Sequence, residues 1–140
     1  MVDQIKKILV PLDGSKNSMK GLNSAIALAK PLGAEIKAVY VRPTPPIFGR
    51  MKPMYAEKIT ADDTFLDSAK KLAEKNGVKF TAKITEFQKP GDYIVKLAQK
   101  QNFDLIVIGA RGMGSVKEFF LGSVSHYIIH KSKIQVLVVK

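Results

Sequence analysis

Gly109-Ala110-Arg111-Gly112-Met113-Gly114-Ser115 directly follows the apolar run Leu105–Ile108, and nine residues separate Gly112 from Gly122-Ser123. Glycines let a backbone approach a phosphate closely and adopt positive φ, so that several N–H groups can point inward together. A helix expected near Gly122–His130 would add the orphan N–H groups and positive dipole end of its N-terminus. Ser123 and Ser125 add hydroxyl donors. This chemistry suits a polyphosphate. It is reached without the G-x-x-x-x-G-K-[ST] loop and without G-x-G-x-x-G after the first strand, both of which are absent.

Other residues that could do chemistry are fewer. Asp13 lies in the turn Pro11-Leu12-Asp13-Gly14-Ser15. Its carboxylate can accept from a ribose hydroxyl or serve the start of the following helix, and the two roles can coexist. His126 and His130 stand four apart on one helix, but no glutamate forms H-E-x-x-H and no third ligand is evident, so they read as solvent-facing. Met51 and Met54 sit in a proline-rich segment, where they read as cover for a ligand or partner. The chain has no cysteine, which excludes disulfides, thiolate metal sites and cysteine nucleophiles. No carboxylate pair suggests acid–base catalysis, and no metal site is expected from protein side chains alone.

The elements that must position these groups alternate in type. Ile5–Val10 reads as a strand, and Ser15 as the N-cap of a helix carrying Met19, Leu22, Ile26 and Ala29 until Pro31-Leu32-Gly33 breaks the pattern. Glu35–Val41 is the second strand and Arg42–Lys52 a loop. A helix beginning near Ala56 carries Phe65, Leu66, Ala69, Leu72 and Ala73 and ends at Asn76-Gly77. Val78–Ile84 alternates apolar with polar residues, giving a strand with one wet face. Pro90-Gly91-Asp92 opens a helix carrying Ile94, Leu97 and Ala98. Leu105–Ile108 is apolar throughout, as a strand buried on both faces is, and Gln135–Val139 is the last strand.

Four βα units and a final strand predict one α/β domain over residues 1–140, an open parallel sheet with helices on both faces and right-handed crossovers. Ile5–Val10 and Leu105–Ile108 should be central. Ligands in such sheets bind beyond the carboxyl ends of the strands where strand order reverses, which points to the loops after those two strands.

The spacing G-x-x-G, nine residues, G-S, formed by Gly109, Gly112, Gly122 and Ser123, resembles the ATP-binding signature of the universal stress protein family. The opening Ile8–Ser15, the strand Asp104–Gly109 and the ending Val136–Val139 resemble it too, so the likeness spans nearly the whole chain. It implies an adenine nucleotide alpha-hydrolase-like sheet of strand order 3-2-1-4-5. ATP with Mg²⁺ is the implied cofactor, its phosphates held by Gly109, Gly112, Gly122, Ser123 and Val124. Pro11 and Asp13 would hold adenine and ribose, Val41 would offer backbone contacts to the adenine edge, and Arg111 would reach toward a phosphate. Gln135 stands where the family commonly has proline, a departure that leaves the nucleotide motif untouched.

Composition limits the alternatives. The formal net charge is +11, but the lysines are dispersed, and no RNP-like aromatic pattern or zinc-finger spacing accompanies them. The charge therefore reads as a field that draws in a polyphosphate, with a basic nucleic-acid-binding module kept as an alternative. No run approaches the roughly 18 apolar residues of a membrane helix, so a cytoplasmic location is expected. Lys79 and Lys83 discourage extension of one sheet edge, whereas Gln135–Val139 is apolar and needs cover. Pairing with its twin in a homodimer would supply it, as the resemblance also implies. The favoured function is a nucleotide-dependent stress or signalling switch that presents the Arg42–Tyr55 loop to a protein partner. Beyond Asp13 nothing stands out to position a hydrolytic water, so slow ATP hydrolysis is the limit expected of it as an enzyme.

Overall fold

The computed structural model of the chain describes residues 4–43, 64–111 and 122–140. Its elements are β1 (Lys7–Pro11), α1 (Lys16–Leu32), β2 (Glu35–Pro43), α2 (Thr64–Lys75), β3 (Phe80–Phe87), α3 (Pro90–Lys100), β4 (Leu105–Gly109), α4 (Ser123–Lys131) and β5 (Gln135–Val139). The five strands form one parallel sheet of order β3-β2-β1-β4-β5. Strand alternation divides the core in two. Ile8, Val10, Ile36, Ala38, Leu105 and Val107 pack under α1 and α2, while Leu9, Val39, Val41, Ile106 and Ile108 pack under α3 and α4. The central strands β1 and β4 are apolar on both sides because both sides are covered, as their unbroken hydrophobic runs predicted.

The caps follow from the turn residues. Ser15 accepts from the Ser18 N–H at 3.1 Å and starts α1 as expected. Gly33, at φ 67°, closes it with its own N–H and that of Ala34 both donating to the Ala29 carbonyl. The helix runs through Pro31 rather than stopping before it. Pro31 would have donated to the Ala27 carbonyl, and Ala27 is exposed, so water can take that bond.

Three strands have moved boundaries, the first being β1, which runs Lys7–Pro11 rather than Ile5–Val10. β2 continues to Pro43, which places Arg42 in the sheet rather than in a loop; it lies 3.8 Å from Glu86 on β3. β3 runs Phe80–Phe87 instead of Val78–Ile84, because the Val78 N–H still belongs to the exit of α2, donating to Ala73 O. The longer β2 supplies partners as far as Pro43 opposite Phe87. Lys79, Thr81 and Lys83 are exposed as expected, but Ala82 and Ile84 are exposed too, so the dry face of this edge is confined to its start. The expected beginning of the second helix near Ala56 lies outside the described residues. No helix among them is long and apolar enough to cross a membrane.

The two helices on the β4 side are pinned to each other by a polar cluster. Tyr127 Oη donates to Asp92 Oδ1 at 3.0 Å, and Lys96 Nζ lies 2.9 Å from Asp92 Oδ2. Lys96 and then Tyr127 hold the Asp92 carboxyl below its ordinary pKa. Because the folded value is the lower one, this contribution is present above the ordinary carboxylate range and lost as pH falls through the depressed folded value. Asp92→Asn is expected to lower stability at pH 7 and to flatten its loss between pH 5 and pH 2. Urea denaturation across that range tests this, and a parallel offset of wild type and variant at every pH would contradict it.

Candidate functional site

Register shows where the sheet opens. β1 and β4 are in register at Ile8 with Leu105 and at Leu9 with Ile106, but not beyond, although β1 continues to Pro11 and β4 to Gly109. Strand order reverses here, since β1 leads outward to β2 on one side while β4 lies on the other. The space beyond the paired residues is the place where ligands of such sheets bind.

One wall is the turn after β1. Leu12 N–H donates to Val39 O at 2.9 Å, keeping the chain beside β2 past the end of the strand. Asp13 Oδ1 then accepts the Ser15 N–H at 2.8 Å, and Gly14 takes φ 85°, which a side chain would strain. A Cβ on Gly14 would also press on the Phe65 ring at 3.1 Å, and Phe65 is itself held edge-on to Tyr40. The Asp13 carboxylate thus serves the helix start, one of the two roles open to it, and is half-buried at the crevice.

Val41 is 8% exposed, its side chain in the α3–α4 core. Val39 presents its carbonyl to β1, so by strand alternation the backbone of Val41 also faces that side, past the last registered β1 residue. It lies two residues inside the strand end, since β2 runs to Pro43.

The other wall is β4 and α4. Gly109 ends β4, Ala110 N–H donates to Val139 O at 2.8 Å, and Ala110 O accepts the Gly122 N–H at 2.8 Å. Gly122 is therefore drawn beside the exit of β4 and forms the N-cap of α4, with Ser123 and Val124 as its first helical residues. Gly122, the N-cap, has no side chain with which to cap this terminus. Ser123 is exposed and Val124 half-buried. Pro11, Asp13, Gly109, Arg111, Gly122, Ser123 and Val124 thus sit at the same end of the sheet, whereas Gly112 lies outside the described residues.

Three details differ from the sequence reading. Gly109 and Gly122 do not use positive φ; among the described glycines Gly14, Gly33 and Gly77 do. Packing by itself requires glycine at 109, because a Cβ there would come within 2.7 Å of the Asn17 carbonyl carbon and 3.1 Å of Ser18 N at the start of α1. Ser125 does not present a free hydroxyl: it is 3% exposed and Oγ donates to Gly109 O at 2.7 Å. Sequence reasoning passed over Ser18 and Gly21, which have no motif of their own. A Cβ on Gly21 would stand 3.1 Å from Gly109 N, so α1 meets β4 with glycine on both sides. His126 and His130 are exposed, rings 4.4 Å apart, and no group of three metal-ligating side chains occurs among the described residues.

A doubly wound parallel sheet with a glycine-lined crevice at its reversal point is the class of protein that fold and site define. The sequence profile of the universal stress protein family matches residues 4–140, and the chain belongs to that family. It is 36% identical to universal stress protein MJ0531 of Methanocaldococcus jannaschii, the match covering 96% of this chain and 82% of that protein. Among solved structures, the protein MJ0577 superposes with a TM-score of 0.83 at 30% identity, over 99% of this chain and 97% of the other. A universal stress protein from Archaeoglobus fulgidus in complex with dAMP has a TM-score of 0.74 at 26% identity, over 99% of this chain and 100% of the other.

The glycine contact predicts a test of packing separate from binding. Gly109→Ala is expected to cost about 1–3 kcal/mol of stability by forcing α1 away from β4. Gly33→Ala, with nothing within 4 Å of the new methyl, should show only the strain of its positive φ. Urea denaturation of both variants measures the difference, and an unaffected Gly109→Ala protein would refute the close-approach argument.

Proposed function

We propose that residues 1–140 act as one universal stress protein domain that binds ATP with Mg²⁺ in the crevice between β1 and β4. The observation that carries this reading is the meeting, at the reversal point, of a helix N-terminus that begins on a glycine N-cap with the Asp13 turn. The first turn of α4 supplies N–H groups and a positive dipole end to the phosphates, with Gly109, Gly112, Gly122, Ser123 and Val124 as the cradle and Arg111 beside it. Pro11 and Asp13 face the ribose and adenine, and the Val41 backbone the adenine edge. The dAMP complex of the Archaeoglobus fulgidus relative supports an adenine nucleotide as the ligand class. The Mg²⁺ would travel with the phosphates, neutralising charge that the helix end meets only partly.

In this reading the protein is a cytoplasmic homodimer whose nucleotide state alters what it presents to a protein partner. β5 is a sheet edge on which Leu137 is 37% exposed, and Ile129 on α4, which covers the other face, is 38% exposed. A second copy pairing along β5 would cover Leu137 and give the unpaired strand a partner. The opposite edge, β3, exposes Lys83, with exposed Lys79 just before it, and resists such pairing.

Denaturing the purified protein and identifying released nucleotide by chromatography is the first test, followed by titration of stripped protein with ATP, AMP and GTP plus Mg²⁺. Selective ATP binding near one per chain, weakened by Asp13→Ala, is the expected result. Absence of both bound nucleotide and rebinding would reduce the glycine loop to a packing device. Leu137→Lys is expected to convert a dimer to monomers in sedimentation, with nucleotide still bound; an unchanged assembly would place the interface elsewhere.

A further inference from the structure

Two buried hydroxyls flank Gly109. Ser18 and Ser125, at 5% and 3% exposure, are the buried polar residues among those described. Both are committed to backbone. Ser18 Oγ donates to Ser15 O at 2.9 Å and accepts the Asp13 N–H at 3.4 Å, so it braces the turn that carries Asp13. Ser125 Oγ donates to Gly109 O at 2.7 Å.

The register explains why Gly109 needs that donor. Ala110 N–H points to β5, where it meets Val139 O, so by alternation the carbonyl of Gly109 points the other way, toward β1. β1 stopped pairing with β4 at Leu9 and Ile106, so no ladder donor is available there. The opening of the crevice therefore leaves a backbone acceptor without its sheet partner, and Ser125 supplies the missing bond from α4. Ser125 belongs to the first turn of that helix, after Gly122, Ser123 and Val124. Its hydroxyl ties the helix end to the strand end, alongside the bond from Gly122 N–H to Ala110 O.

We infer that Ser125 is a positioning residue for the phosphate wall of this site: it aligns the first-turn N–H groups of α4 without touching the ligand, while Ser18 independently positions the ribose wall. The inference rests on the nucleotide reading above and divides the site into two separately braced halves. A loosened brace on the phosphate side costs affinity for phosphates alone, because the Asp13 turn stays fixed by Ser18.

Calorimetry with ATP plus Mg²⁺ and with adenosine, on wild type, Ser125→Ala and Ser18→Ala, tests it. Ser125→Ala is expected to weaken ATP about tenfold and to leave adenosine within about twofold, as a slackened but still assembled site would. Ser18→Ala should weaken both by similar factors. Ser125→Cys keeps the volume with a poor donor, should reproduce the loss for ATP, and serves if the alanine variant does not fold. A hydroxyl that merely stabilises the fold would lower the melting temperature and move both ligands together, or neither; either pattern overturns the inference. Wild-type protein that binds neither ligand overturns the nucleotide reading itself, a result distinct from normal wild-type binding with unaltered variants.

Discussion

The first turn of α1 lies against the last residue of β4 with no side chain between them. Glycine at 21 and at 109 makes this possible, and the carbonyl of Asn17 occupies the place where a Cβ of Gly109 would be. The contact brings together the two chain segments that flank the reversal of strand order. α1 leaves the Asp13 turn, so its position against Gly109 also sets the distance between that turn and the exit of β4. One steric constraint thus fixes both the packing of a 17-residue helix and the width of the crevice at its foot. Interiors at native packing density transmit such constraints instead of absorbing them, which is why a single methyl matters here.

Hydrogen bonding completes what packing begins. A parallel ladder satisfies backbone groups as long as the strands stay in register, and a crevice at the reversal point must interrupt it. Two of the freed groups are met locally: Gly109 O finds Ser125 Oγ, and Ala110 bonds to both Val139 and Gly122. The N-terminus of α4, which begins on the side-chain-free Gly122, is the end of a helix where an anion is favourable.

Much of this was legible in the sequence. The apolar runs of β1 and β4 announced central strands, and Asp13-Gly14-Ser15 announced a turn and cap that the structure forms with those residues. Strand order and the placing of helices followed from the alternation and from the family likeness. The rest was hidden for physical reasons. Periodicity reports which face of a helix is dry, but it does not reveal that a glycine is also required by a helix packed on it, so the packing role of Gly109 was not visible. A serine in a glycine-rich motif looks like a ligand donor, and only burial reveals that the Ser125 hydroxyl is already used. Pro31 looked like a stop because the signal is local, whereas the cost of the missing N–H depends on whether water reaches the Ala27 carbonyl. β3 was placed too early because its length is set by β2, its hydrogen-bonded neighbour, more than by its own alternation.

The two edges of the sheet are unequal, and the inequality connects with the site. β3 is flanked by exposed lysines and lies two strands from the crevice, while β5 is apolar and bonded directly to the loop that leaves it, through Ala110 N–H and Val139 O. That same residue accepts from Gly122 at the head of α4. A ligand that shifts the helix end therefore acts on a segment one hydrogen bond from the strand proposed to meet a second copy. Communication along this path requires that the ligand contact the helix end more strongly in one arrangement of the dimer than in another, since tight binding without that difference shifts nothing. The exposed Leu137 and Ile129 lie on the two elements joined by this path, so a dimer built there would place its interface where such a difference can be felt. An interface on β3 would have to act across β2 and β1, whose buried residues leave them little freedom to move.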